Sequence, residues 1–147
     1  MNTKAKVFKK YLDEKEIKVF KVEELPEDEH NTVVFRSNIV VEGQQLPTLV
    51  ILDDTAFSVI RVLVLNNART KENETKVLNM ANTQNTNYKP FKLFFDSNGA
   101  LLMDVCLTTP GQKEKDFETL GDEIYGMLDL VIKFMGENYR NWMKEIW

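Results

Sequence analysis

The sequence predicts an α+β fold: a twisted antiparallel sheet, built as a meander plus a hairpin, packed against an N-terminal, a short middle and a long C-terminal helix. Three observations predict it. Phe117, Leu120, Ile124, Leu128, Val131, Met135, Tyr139, Trp142 and Ile146 recur at three-to-four spacing, which puts them in one stripe along a long helix. Between Thr32 and Leu65, apolar runs are joined by only a few residues, whereas a parallel crossover needs a dozen or more. Asn98-Gly99 separates two further apolar runs, a strong short-range hairpin signal.

Each element follows in order. Thr3 to Lys15 sets Val7, Phe8, Tyr11 and Leu12 on one side of an amphipathic first helix. Lys18 to Val22 reads as a short strand, and Glu23 to His30 as an acidic loop held open by Pro26. From Thr32 to Glu42, Val33, Phe35, Ile39 and Val41 alternate with Val34, Arg36, Asn38 and Glu42, period-two patterning with one wetter face. Gly43 to Pro47 is expected to turn the chain into a strand at Leu49 to Leu52, and Asp53-Asp54-Thr55 to turn it again. Phe57 to Leu65 is apolar on both faces and is therefore expected at the centre of the sheet. After the polar stretch Asn66 to Glu74 comes a short helix from Thr75 to Gln84, with Asn73 as its cap and Val77, Leu78 and Ala81 as its buried face. Pro90 to Phe95 and Ala100 to Leu107 form the hairpin, and Pro110-Gly111 ends the sheet before the terminal helix.

Size and composition set the function classes. At 147 residues, 43% hydrophobic and 29% charged, the chain fits a single domain over 1–147 that removes ~68–70% of its extended-chain surface from water. Met1 to Lys10 lacks the continuous apolar stretch of a secretory signal, and the longest apolar runs are strand-sized, so a cytoplasmic protein without a membrane span is expected. Cys106 is the only cysteine, which excludes an internal disulfide and a cysteine-based metal site. A net charge of -4 opposes phosphate-backbone binding, which needs clustered Lys and Arg.

No constellation carries an obvious chemistry. His30 is the only histidine and follows Glu27-Asp28-Glu29 in a loop. Pairing it with Cys106 would make a thiol and base, but the strand context of Cys106 predicts an apolar burial that raises its pKa and leaves it inert. Asp53-Asp54 lacks the alternating acidic ligands and internal Gly of a calcium loop, so it reads as a hairpin turn. Gly121, Gly126 and Gly136 follow no strand in the order a nucleotide fingerprint requires and are expected to let helices approach closely. Asn79 and Asn82 read as cap and turn residues bonding to backbone. Tyr88, Phe91, Phe94 and Phe95 with Lys89 and Lys92 suggest a base-stacking platform, but Phe91, Leu93 and Phe95 share one face and read as core. No catalytic, metal or cofactor residue is assigned.

Val77-Leu78-Asn79-Met80-Ala81-Asn82 on a short helix, then Phe91 to Phe95, the Asn98-Gly99 turn, Leu101 to Val105 and a long terminal helix together resemble the bacterial YbjN-like domains. Those domains are similar in fold to type III secretion chaperones, and the resemblance runs from about Thr32 to Ile146. It implies a twisted antiparallel sheet covered by helices, frequent homodimers, and a binding or regulatory role without a catalytic centre. Secretion chaperones tend to be markedly acidic; this chain is only mildly so.

The terminal helix supplies the expected surface. Its outer stripe is Glu118, Asp122, Asp129, Lys133, Gly136, Arg140 and Lys144. Met127, Leu130 and Phe134 lie on one flank of the main stripe, and Tyr125, Ile132 and Met143 on the other. Either the other two helices cover these flanks, or the six residues form a dimer or partner surface. The second reading describes a non-enzymatic, chaperone- or adaptor-like homodimer that holds segments of a partner protein, with an exposed sheet face or edge taking the segment; Phe134→Asp is then expected to loosen the dimer and spare the fold. Two alternatives come from other classes: a small-ligand or hydrolytic enzyme around His30, Cys106 or Asp53-Asp54, and a weak single-stranded nucleic-acid binder.

Overall fold

The first helix is fastened before it begins. In the computed structural model, which describes all residues 1–147, Asn2 accepts the Ala5 amide at 2.8 Å and so caps α1 (Thr3–Glu14). The Asn2 side-chain NH2 donates to the carbonyls of Asn31 and Leu52 at 2.8 and 2.9 Å, tying the cap to the sheet. Phe8 drives the face of α1 into the core, its ring 4.9 Å from that of Phe35.

Six strands follow: β1 (Lys21–Glu24), β2 (Val33–Val41), β3 (Gln44–Leu52), β4 (Phe57–Leu65), β5 (Phe91–Phe95) and β6 (Leu101–Thr108). They form one fully antiparallel open sheet in the order β1-β2-β3-β4-β6-β5. Helix α2 (Glu74–Asn87) carries the chain past the sheet between β4 and β5, and α3 (Leu120–Ile146) closes the fold after a short 3-10 turn at Glu114–Phe117. The fold is α+β, with β4 inside the sheet as its two-sided apolarity requires.

Several boundaries differ from expectation, each for a local reason. The β2–β3 turn is Glu42-Gly43, both at positive φ (49° and 77°), the conformation of a tight hairpin turn. The third strand therefore begins at Gln44 and runs through Pro47. That proline lies beyond Thr48–Val62, the last paired residues of β3 and β4, where a missing N–H removes no ladder bond. Strand β1 starts three residues later than expected, because its pairing with β2 runs from Lys21–Arg36 to Glu24–Val33.

In α2, Asn73 occupies the cap position without capping. Its Oδ1 accepts the Thr70 amide at 2.7 Å, while its Nδ2 donates to the carbonyls of Ala68 and Ile146 at 2.8 and 3.1 Å. The residue joins the loop to the end of α3 instead. Leu78, expected on the buried face, is 41% exposed, and Met80 takes its place beside Val77 and Ala81. Asn79 and Asn82 lie within the helix rather than at its end, and their side chains make no hydrogen bond.

One cluster of 31 buried residues unites the helices with a single face of the sheet. The strand residues in it, among them Phe35, Val50, Ile60, Val62, Met103 and Val105, all point the same way. The stripe Leu120, Ile124, Leu128, Val131, Met135, Tyr139, Trp142 and Ile146 lies against it, as the periodicity predicted. No helix is long and apolar enough to cross a membrane.

Candidate functional site

The opposite face of the sheet has no helix over it. Pleating sends alternate residues to this side: Val34 and Val40 from β2, Leu49 and Ile51 from β3, Phe57, Val59 and Leu63 from β4, Leu102 from β6 and Phe94 from β5. None belongs to the core cluster or packs against it. Antiparallel sheets with one solvated side normally turn polar residues outward, but here cross-strand neighbours are aliphatic. Ile51–Val59–Cys106 forms one row, beside a Val34 that is itself buried, with Leu63–Leu102–Phe94 along another. Contiguous apolar surface of this kind marks sites of contact with other molecules.

A charged row crosses between them: Lys21–Arg36–Leu49–Arg61–Asp104–Lys92. Arg61 grips Asp104 with two bonds of 2.8 Å, and that hydrogen bonding holds the guanidinium pKa above its ordinary value. Phe94 lies under both Arg61 and Lys92, 5.7 and 4.8 Å from the ring centre. Arg36 bonds Glu23 at 2.9 Å. The half-exposed Arg36–Glu23 pair adds little stability, whereas Asp104 is buried beneath its two bonds to Arg61; both pairs position cations among aliphatic rows.

The expected surface on α3 is smaller than its sequence suggests. Phe134 is buried at 6% exposure, its ring centre 4.4, 4.3 and 5.6 Å from those of Tyr88, Phe91 and Trp142. It is a core residue, because α2 and β5 close over it. Tyr125 packs between Tyr11 and Phe20, and this burial pushes its phenol pKa up. Met127 and Met143 also pack against the core, half-buried. Leu130 and Ile132 stay open at 53% and 39%, on opposite flanks of the helix.

Other singled-out residues fall as follows. Cys106 is exposed on the open sheet face, not buried as its strand context implied, since alternation turns it away from the core. Its sulfur bonds only the Leu107 carbonyl, at 3.9 Å. The side chain of His30 lies in the loop 3.2 Å from Glu29, and no hydrogen bond joins it to Cys106. Asp53 and Asp54 do form the β3–β4 turn, with Asp53 accepting the Thr55 amide at 2.9 Å. Beside them Lys4 is 2% exposed. Its Nζ donates to the Phe57 carbonyl at 2.7 Å and Ser58 Oγ at 3.0 Å, and lies 3.8 Å from Asp53. Burial lowers its amine pKa, with Asp53 and Asp54 opposing. This corner bounds a cavity of about 320 Å³ lined by Thr3, Lys4, Asp53, Asp54, Gly111, Gln112 and Phe117. No group of three or more His, Cys, Asp or Glu side chains is placed to hold a metal ion.

Neither protein-family models nor curated proteins give a match to the chain.

An exposed sheet face or edge is among the surfaces the sequence offers for a partner segment, but the residues it singles out lie on α3, although a signal for the face is present. Two-sided apolarity of Phe57 to Leu65 was read as interior position within the sheet. It equally describes a strand with one side covered and the other awaiting cover.

Proposed function

We propose that this protein is a non-enzymatic binding domain of YbjN-like, secretion-chaperone-like type, cytoplasmic and chaperone- or adaptor-like in role, that holds a partner protein segment on its uncovered sheet face. One observation carries the reading: the aliphatic rows through Ile51, Val59, Leu63 and Leu102 lie outside the core cluster and beneath no helix. A partner that covers them gains roughly 25 cal/mol for each Å² of apolar surface taken from water. The succession of helix, meander, helix, hairpin and helix supports the family reading. The homodimer is proposed through α3, where Leu130 with Met127 offers an apolar contact.

Affinity capture with the tagged chain at near-native expression tests the reading, run beside a Leu63→Asp variant. A near-stoichiometric partner retained by the parent and lost by the folded variant is the expected result. Retention unchanged by Leu63→Asp, or no partner at all, removes the open face from the function. A second reading, a small-ligand or hydrolytic site, is favoured only by the cavity where Lys4, Asp53 and Asp54 meet. Loss of an observed activity on Asp53→Asn, with stability retained, would support it.

A further inference from the structure

The charge on the open face is opposite to that of the whole chain. Four cations, Lys21, Arg36, Arg61 and Lys92, share the face with two carboxylates, Glu23 and Asp104, in a protein of net charge -4. Glu23 and Asp104 are already bound to Arg36 and Arg61. Lys21 and Lys92 have no carboxylate partner and occupy opposite ends of the same row. Five strand spacings of about 4.8 Å put their backbones roughly 24 Å apart, with Arg36, Leu49, Arg61 and Asp104 between them in the row and the aliphatic rows on either side.

From this arrangement, and resting on the proposed binding role, we infer that the occupant of the open face is an acidic amphipathic protein segment, its apolar side chains on the aliphatic rows and its carboxylates at Lys21 and Lys92. Charge complementarity selects this occupant over a second copy, whose face would set the same cations against their own kind. It is also preferred over single-stranded nucleic acid. A sheet that stacks bases sets two or three aromatic rings side by side, whereas the two rings of this face, Phe57 and Phe94, stand at opposite ends of the β4 register, about 20 Å apart, and Phe94 already has Lys92 and Arg61 over its ring.

The test uses two labelled peptides of about 18 residues, roughly 27 Å long as a helix, with one shared Leu/Ala pattern and either glutamates or lysines at both ends. They are titrated against the full chain at low and high salt, beside an oligothymidine. The glutamate peptide is expected to bind roughly tenfold more tightly at low salt and to lose that advantage as salt rises. It should also slow alkylation of Cys106, and the double variant Lys21→Glu, Lys92→Glu should reverse the preference. Equal affinity for the two peptides, with both abolished by Ile51→Asp, overturns the acidic occupant and leaves the binding face standing. Failure of both peptides overturns the face as well. Binding of oligothymidine in their place would assign the cations to nucleic acid.

Discussion

The ring of Tyr11 occupies the space beside Gly121 where a side chain would begin: a β-carbon added to Gly121 would stand 2.3 Å from two ring atoms. Tyr11 cannot easily yield, because it stacks on Phe8 and donates its hydroxyl to Asp122 at 3.0 Å. This contact sets how closely α1 approaches the start of α3. Gly121→Ala is expected to destabilise the protein by about 1–3 kcal/mol through overpacking. Gly126 has open space around it, so Gly126→Ala should stabilise α3 by up to ~1 kcal/mol through helix propensity. Urea denaturation of the two variants, read as the sign of each change, checks the pair.

Truncating Lys4 tests the fastening of α1 to the β3–β4 corner. Lys4→Ala leaves Ser58 Oγ and the Phe57 carbonyl without their donor and Asp53 without its nearest cation. A loss of roughly 3 kcal/mol is expected, typical of a buried charged network missing one member. The thermal unfolding midpoint measures it, and a change below about 0.5 kcal/mol would show the amine to be solvated.

Residues on α3 should divide sharply. Phe134→Ala is expected to cost about 3–5 kcal/mol, as for a buried aromatic, so Phe134→Asp unfolds the chain rather than merely separating a dimer. Leu130→Asp and Ile132→Asp are expected to change stability by less than about 0.5 kcal/mol. Of the two, Leu130→Asp should lower the mass in solution through the proposed dimer contact. Light scattering at several concentrations gives the answer; an unchanged mass excludes that flank.

Acid should weaken the loop before β2. Asp28 accepts the side-chain hydroxyl of Thr32, the Thr32 amide at 3.0 Å and the His30 amide at 3.2 Å, and these bonds hold its carboxyl below the usual carboxylate range. A folded pKa below the unfolded value means that the contribution is complete above about pH 4, the unfolded value, and is lost as pH falls through the lower folded one. Asp28→Asn should therefore be less stable than the parent at neutral pH and converge with it in acid. Denaturation midpoints across that range test the convergence.

Cys106 should react in the native state. Exposed on the open face, it is expected to be alkylated by iodoacetamide at nearly the rate of the unfolded chain, with Cys106→Ser changing stability by less than about 0.5 kcal/mol. Strong protection of the thiol in the free protein would mean that something already covers this side of the sheet.

Local chemistry made much of the fold legible. The stripe from Leu120 to Ile146 specified a long helix and its buried side, because every third or fourth residue meets the same neighbour. Short connections specified antiparallel pairing of β2, β3 and β4, and Asn98-Gly99 specified the β5–β6 turn. Less was legible where one residue type fits two environments. Asn73 has the composition of a cap, but the Thr70 amide occupies its capping oxygen while its NH2 reaches the end of α3, distant in sequence.

The sequence by itself determined which segments become helices and strands and which face of each carries the larger apolar load, since these follow from backbone period and side-chain type. Only the tertiary structure decided which apolar faces are covered. Phe134 and Leu130 are both apolar flank residues of one helix, yet α2 and β5 close over the first and nothing closes over the second. Val50 and Ile51 are neighbours of similar character, the first facing the helices and the second facing outward. Burial is a property of what lies opposite a surface, and in this sheet all three helices pack on one side.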